Sequence, residues 1–183
     1  KRVGLASAGI VAELVKLIGA TFPKNIILRT HFDEGEHPVV GDATQLYQVL
    51  LNLCVNARDA MPAGGRLDIE VGHQKVDATY LATQPDAQLG NYVTWLVRDS
   101  GEGISPQNLD HIFDPFFSTK SPEKGLGIGL ATVLGLVRSH GGFLRVQSVE
   151  GKGSSFWVYL PMANSSVSPP SLQVLDLGEN RNE

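Results

Sequence analysis

Three groups of residues carry the chemistry open to this chain. Asn52 and Asn56 stand four apart, with Asp59 three places on, inside the stretch DATQLYQVLLNLCVNARDAM over Asp42–Met61. Amide and carboxylate oxygens are hard donors of the kind Mg²⁺ prefers. The second group, Asp99-Ser100-Gly101-Glu102-Gly103, follows the apolar run Tyr92–Val97. A carboxylate at the end of such a run can accept from a buried amine such as an adenine exocyclic NH2. Glycines beside it let backbone approach a flat ligand without a Cβ. By themselves these five residues also fit a plain Asp–Gly turn. The third group, Gly125-Leu126-Gly127-Ile128-Gly129, opens onto the apolar stretch Leu130–His140. Free amides and the positive end of a helix there favour phosphate.

The nearest familiar phosphate motifs do not fit. In a dinucleotide-binding turn the third glycine comes one position later and a strand precedes it, and no Gly-x4-Gly-Lys-Ser/Thr loop occurs in the chain. Eukaryotic-type protein-kinase signatures are missing too. Lys120 and Lys124 flank the polar loop that precedes the third group and can meet phosphate as point charges, or be solvated loop lysines. Phe113, Phe116 and Phe117 read as packing for the base of a loop. His31, His37, His73, His111 and His140 show no metal-ligand spacing and read as structural or solvated. Cys54 is the single cysteine, which excludes an internal disulfide or a cysteine metal site.

These groups need elements to hold them. Asp42–Met61 predicts a helix of about five turns. Asp42 is its N-cap, and Pro62 with Gly64-Gly65 stops it. Leu46, Val49, Leu50, Leu53, Ala57 and Ala60 share one face. Tyr47, Leu51, Cys54, Val55 and Met61 widen it, leaving a narrow strip of Gln45, Gln48, Asn52, Asn56 and Asp59. A surface helix shows a wide charged face; this one reads as buried nearly all round, with its amides lining something polar. Ala8–Thr21 predicts an amphipathic helix. Ile26–Phe32, Val39-Val40, Arg66–Gly72, Tyr92–Val97, Phe143–Ser148 and Ser155–Leu160 predict strands. Asp33–His37 reads as a turn and Asp77–Gly90 as an irregular excursion. Ser105–His111 predicts a short helix with Ser105 as N-cap and Pro106 at its first position. Ser118–Lys124 reads as a mobile loop. The pattern is α+β: a mainly antiparallel sheet with helices over one face.

With 183 residues the chain can bury a real core, and its net charge of −4 suggests neither nucleic acid nor an anionic membrane as partner. No apolar run approaches the roughly 20 residues needed to cross a bilayer. Beyond Ala163 the composition shifts to Ser, Pro and Asn and reads as a linker.

Taken in order, these pieces resemble the catalytic ATP-binding domain of sensor histidine kinases, within the wider superfamily of gyrase, Hsp90, histidine kinase and MutL-like ATPases. The N box lies in Asn52-Leu53-x-x-Asn56-Ala57-x-Asp59-Ala60 and the first glycine box in Asp99–Gly103. The F box lies in Phe113-Asp114-Pro115-Phe116-Phe117 and the second glycine box in Gly125–Leu130. Gly151-Lys152-Gly153-Ser154 looks like the last glycine motif. The wording NARDAMPAGG with DPFFSTK looks most like the nitrogen-sensor and hybrid-kinase branch. The resemblance spans roughly Val39–Pro161. It implies a two-layer α/β sandwich, the Bergerat ATP-binding fold. Asn56 would coordinate Mg²⁺, supported by Asn52. Asp99 would accept from adenine N6, with Gly101, Gly103 and Ile104 walling the base and Ser154 beneath. Ser118–Lys124 would be the ATP lid. Gly125, Gly127 and Gly129 would give amides to phosphates, with Leu126, Ile128 and Leu130 in the same box, and Asp59 would complete the set.

Two departures matter. Many family members carry Lys three places after the Mg²⁺-binding Asn, where this chain has Asp59. Phosphate charge would then fall to Lys120, Lys124 or Arg58. No His-Glu-x-x-x-Pro type segment is present, so the phosphoacceptor histidine is expected outside this chain. The implied organisation is a helical lead-in over 1–24, the ATP-binding domain over 25–162 and a linker over 163–183. The implied partners are a phosphoacceptor (dimerisation) segment and a response-regulator receiver domain. The fragment would be monomeric and cytoplasmic, its parent homodimeric. Two rivals remain. A water-activating ATPase of this superfamily would use Glu where Asn52 stands, so it lacks a general base here. A degenerate module would bind nucleotide or only a partner.

Overall fold

A computed structural model describes residues 2–85, 87–117 and 129–163. The expected lid over Ser118–Lys124, the lysines Lys120 and Lys124, the first four residues of the second glycine box and the Ser/Pro tail from residue 164 lie outside the described residues.

Five strands form the main sheet: β2 (Ile26–Phe32), β4 (Gly65–Val76), β5 (Gly90–Asp99), β6 (Phe143–Val149) and β7 (Gly153–Pro161). Their order is β2-β4-β5-β7-β6. Only β2 and β4 run parallel; the other neighbours are antiparallel. Three helices cover one face: α1 (Ser7–Thr21), α2 (Ala43–Asp59) and α5 (Gly129–Ser139). α2 lies in the middle, touching α1, α5 and β5. The alternation read in β4 is kept, with Leu67, Ile69 and Val71 buried beneath the helices. On the other face Arg29 and Arg66 pair with Asp68, and Arg145 lies over the Trp157 ring. That face is solvated around Arg29 and Arg66, while a second, smaller cluster of Val76, Ala87, Tyr92 and Tyr159 is buried on it beneath Tyr80 and Leu81.

α2 begins as its sequence predicts, with the Asp42 carboxylate accepting from the Gln45 amide at 3.0 Å. Leu46, Val49, Leu50, Leu53, Cys54 and Ala57 are buried in one core with Val11, Leu14 and Ile18 of α1, Val133 and Val137 of α5, and Trp95 and Val97 of β5. Burial pushes the Cys54 thiol up to about 12, so it acts as a small apolar residue. His140 ties the two ends of this layer together. Its Nδ1–H donates to the Leu136 carbonyl and its Nε2 accepts from the Asp42 amide at 3.1 Å.

Two elements depart from the sequence reading. β1 (Val3–Ala6) pairs antiparallel with β3 (Pro38–Gly41) in a small separate sheet. Four residues including Gly4, with three of the four exposed, give no alternating signal. Within the excursion at 77–90, Ala78–Thr83 forms α3, a helix of six residues capped by Asp77. α4 (Pro106–Leu109) is the short helix expected after Ser105, whose hydroxyl caps it. Among the described residues no helix is long and apolar enough to cross a membrane.

Leu50 is fully buried between α2 and the sheet, so Leu50→Ala leaves a cavity there. The expected loss is about 2–5 kcal/mol of unfolding free energy, with little change in urea m-value. A loss below about 0.5 kcal/mol would show that α2 is not the centre of the core.

Candidate functional site

Four segments meet at one end of the sheet: the last turn of α2, the end of β5, the loop at 100–104 and the β6–β7 turn. The Glu102 amide donates to the Ala60 carbonyl at 3.0 Å, and the Gly151 amide donates to the Glu102 carbonyl at 2.7 Å. A Cβ on Gly101 would stand 2.2 Å from Ala60 O, and one on Gly103, whose φ is +72°, 2.2 Å from Val149 O. The glycines of this motif are therefore required first by backbone lying on backbone. That refines the expectation that they admit a ligand: the loop they permit becomes a thin wall of main chain.

Asp99 sits inside this clasp. It is 5 % exposed and lies in register with Leu67 on one side and Ser154 on the other. Its carboxylate accepts from the Gly101 amide at 2.8 Å. Burial raises its pKa above the usual carboxylate value; the Gly101 and Ser154 amides oppose that, and the Glu102 charge adds to it. Among the described residues no Lys, Arg or His pairs with it. Ser154 lies beside it and is buried. The Ile104 amide donates to Ser148 Oγ at 2.8 Å, and the Ser148 hydroxyl donates to the Gly153 carbonyl. Its one proton is thus used, so Ser154 Oγ is the donor in their 2.8 Å contact. Ile104 packs partly buried against the core.

Asn52 and Asn56 lie half-buried on α2. The Asn52 amide donates to the Gly129 carbonyl at 3.4 Å, joining the first turn of α5 to the N box. A carboxylate at 52 has no proton for that bond at neutral pH. Among the described residues no hydrogen bond engages the Asn56 side chain, which leaves its amide oxygen available to a cation. Asp59 is held by Arg58 at 3.3 Å, and the Arg58 guanidinium stands 5.3 Å from the Phe22 ring centroid at the end of α1. At about 100° per residue Arg58 points some 160° away from Asn56. Arg58, one of the three cations considered for phosphate, therefore faces away from Asn56. Gly129 and Leu130 are described, and they open α5.

The F box divides. Ile112 is buried and Phe113 packs against the core. Phe117 lies near the His111 ring, and Phe116, at φ +67°, is 72 % exposed. Phe116 therefore does not pack the loop base as its sequence context suggests. A cluster that the sequence hid also appears: Asp33, His37 and His73 converge at another edge of the sheet.

This geometry fits a purine with phosphates. Among the described residues a buried carboxylate beside a main-chain wall pairs with no cation, and an amide oxygen on the neighbouring helix has no hydrogen-bond partner. Residues 41–164 match the family described as histidine kinase-, DNA gyrase B-, and HSP90-like ATPase. The chain belongs to that family. It is an ATP-binding catalytic domain of the histidine-kinase type. It is 39 % identical over 153 residues to the sensor kinase CckA of Brucella abortus, covering 83 % of this chain and 16 % of that protein. It is 36 % identical over 139 residues to the sensor histidine kinase ZraS of Salmonella typhimurium, covering 76 % and 26 %. The nucleotide-free catalytic domain of histidine kinase ThkA superposes with a TM-score of 0.70 at 26 % identity, covering 90 % of this chain and 99 % of that domain. The chain thus spans about a quarter or less of the curated relatives named here.

The burial of Asp99 has a sign. Unfolded, it titrates near the ordinary 3.8; folded, it holds its proton to higher pH. Between those values the folded chain keeps a proton the unfolded chain has lost, so stability falls as pH rises through that window. Asp99→Asn removes the falling contribution while keeping an acceptor for the Gly101 amide. Urea midpoints measured from acid to neutral pH should fall less for the variant than for wild type. Parallel curves would contradict a penalised carboxylate.

Proposed function

We propose that this ATP-binding domain transfers the γ-phosphoryl of Mg²⁺-ATP to a histidine on a phosphoacceptor segment of a larger sensor kinase. The observation that carries this is the buried Asp99 beside a main-chain wall, with which no cation pairs among the described residues, together with an Asn56 side chain on α2 that no hydrogen bond among those residues engages. Asp99 reads the adenine amine, Gly101, Gly103 and Ile104 wall the base, and Ser154 supports the floor. Asn56 would hold Mg²⁺, with Asn52 fixing the start of α5 and Asp59 completing the strip. A metal held there would neutralise phosphate charge. Lys120, Lys124 and the second glycine box, Gly125-Leu126-Gly127-Ile128-Gly129-Leu130, supply donors along the phosphates. The chain's contribution is positioning and electrostatics, as for phosphoryl transfer generally. Asn52 also speaks for transfer to a side chain over hydrolysis, since an amide cannot act as a general base on water.

In this reading residues 1–24 lead in from the phosphoacceptor segment and also wall the core through Val11, Leu14 and Ile18. Residues 25–162 form the catalytic domain and 163–183 a linker. A receiver domain of a response regulator accepts the phosphoryl next. The parent is a cytoplasmic-facing homodimer, and the fragment alone is monomeric. Neither nucleic acid nor membrane contacts this fragment.

Two substitutions separate the base from the metal. Asn56→Ala should lower Mg²⁺-dependent ATP affinity by at least about tenfold, about 1.4 kcal/mol, with thermal stability kept. Asp99→Asn should weaken ATP by a similar factor while leaving already weak GTP binding unchanged. Competition against a fluorescent nucleotide measures both. Unchanged affinity in Asn56→Ala would remove the metal role, and equal loss of ATP and GTP in Asp99→Asn would remove the adenine contact.

A further inference from the structure

The parallel pairing of β2 with β4 brings Asp33 against residues forty positions away. Phe32 lies in register with Val71, and the Asp33 amide donates to the Val71 carbonyl at 3.0 Å. The Asp33 carboxylate then meets two imidazoles. One oxygen contacts His37 Nε2 and the other lies 2.9 Å from His73 Nδ1. The two rings stack, with centroids 4.4 Å apart and planes 19° from parallel. The loop is fixed from behind. The Ser7 hydroxyl and amide both donate to the His37 carbonyl, at 2.8 and 3.0 Å.

The proton positions on His73 decide what this cluster needs. His73 Nε2 lies 2.8 Å from the Glu36 carbonyl, which only accepts, so Nε2 carries a proton. In the neutral ring Nδ1 is then a lone pair, and it faces a carboxylate oxygen. Two acceptors in contact require a cation between or beside them, either a proton or a metal. Donation of the second ring nitrogen to a backbone carbonyl is the arrangement that orients a metal-bound imidazole.

We propose that Asp33, His37 and His73 form a binding site for a borderline transition-metal cation, of which Zn²⁺ is the best match. Two imidazoles and one carboxylate are a common ligand set for it, with water in the fourth place. One ligand atom from each residue lies within 4.8 Å of the others. A tetrahedral zinc with bonds of about 2.0 Å needs them about 3.3 Å apart, so on binding the Asp33 carboxylate draws back from the two ring nitrogens it now contacts, and the rings turn out of their stack to aim both nitrogens at the ion. His37 is buried, while the side chains of His73 and Asp33 are 31 % and 37 % exposed, which leaves an entry from solvent. The site is separate from the nucleotide pocket. Along β4, His73 stands six residues from Leu67, the register partner of Asp99, or roughly 20 Å.

The test is titration of the tag-free full chain, without nucleotide and at neutral pH, with Co²⁺ and then Zn²⁺. One ion per chain should bind at micromolar or tighter Kd, with visible Co²⁺ absorption that Zn²⁺ displaces. His73→Gln and Asp33→Asn should each weaken binding at least about tenfold. His111→Gln, at a surface His–Asp pair elsewhere, should not. Nitrogen-15 NMR of the wild-type histidines gives a reading that needs no variant: Zn²⁺ should shift His73 Nδ1 while Nε2 stays protonated. Absence of stoichiometric binding, equal affinity in all variants, or an unmoved Nδ1 would overturn the proposal and leave a proton-bridged ion pair.

Discussion

A buried carboxylate is costly to hold, and among the described residues no cation offsets that cost at Asp99. Backbone amides of Gly101 and Ser154 oppose the burial penalty without abolishing it, since the pKa stays raised. That leaves a strong acceptor under-used in a dry place, which is what recognition of a flat amine-bearing ring requires. The clasp depends on close main-chain contact. Glu102 closes on Ala60 at the end of α2, Gly151 closes on Glu102, and Gly103 permits the turn between them. α2 is therefore both the keystone of the core and one jaw of the pocket. Its Leu50 and Leu53 face the sheet while Asn52 and Asn56 lie on its polar strip.

Asp99, Ser154 and the asparagines stand on strands or a helix tied into one core. In the proposed reading, precision at the base and metal comes from those elements. The Asn52–Gly129 bond links that helix to the start of α5. An amide serves there as a donor, which is a structural reason for Asn52 besides the loss of a general base.

Much of this was legible because its signals are local. The Asp42 cap, the apolar face of α2, the alternation in β4 and the Ser105-Pro106 start are set by neighbours in sequence. Family resemblance then ordered the boxes. What stayed hidden was non-local or faint. β1 is four residues with no alternation and exists because β3 pairs with it. α3 depends on Tyr80 and Leu81 packing against Tyr92 and Tyr159, from strands distant in sequence. The Asp33–His37–His73 cluster has no ligand spacing, because parallel strand register, not sequence separation, brings His73 to the loop. The glycines of the first box were recognised, but their strictest duty is contact with Ala60 and Val149, which no motif reveals. Phe116 was read as packing and stands exposed because its backbone turns at positive φ.

Adenine held by Asp99 with a metal at Asn56 makes nucleotide binding depend on Mg²⁺. Calorimetric titration of the wild-type chain with ADP, first with Mg²⁺ and then with EDTA, measures that dependence. Micromolar-scale binding, about −8 kcal/mol, that weakens when the metal is removed is the expected result. No heat of binding under either condition would contradict it and leave a folded module whose polar strip serves structure alone.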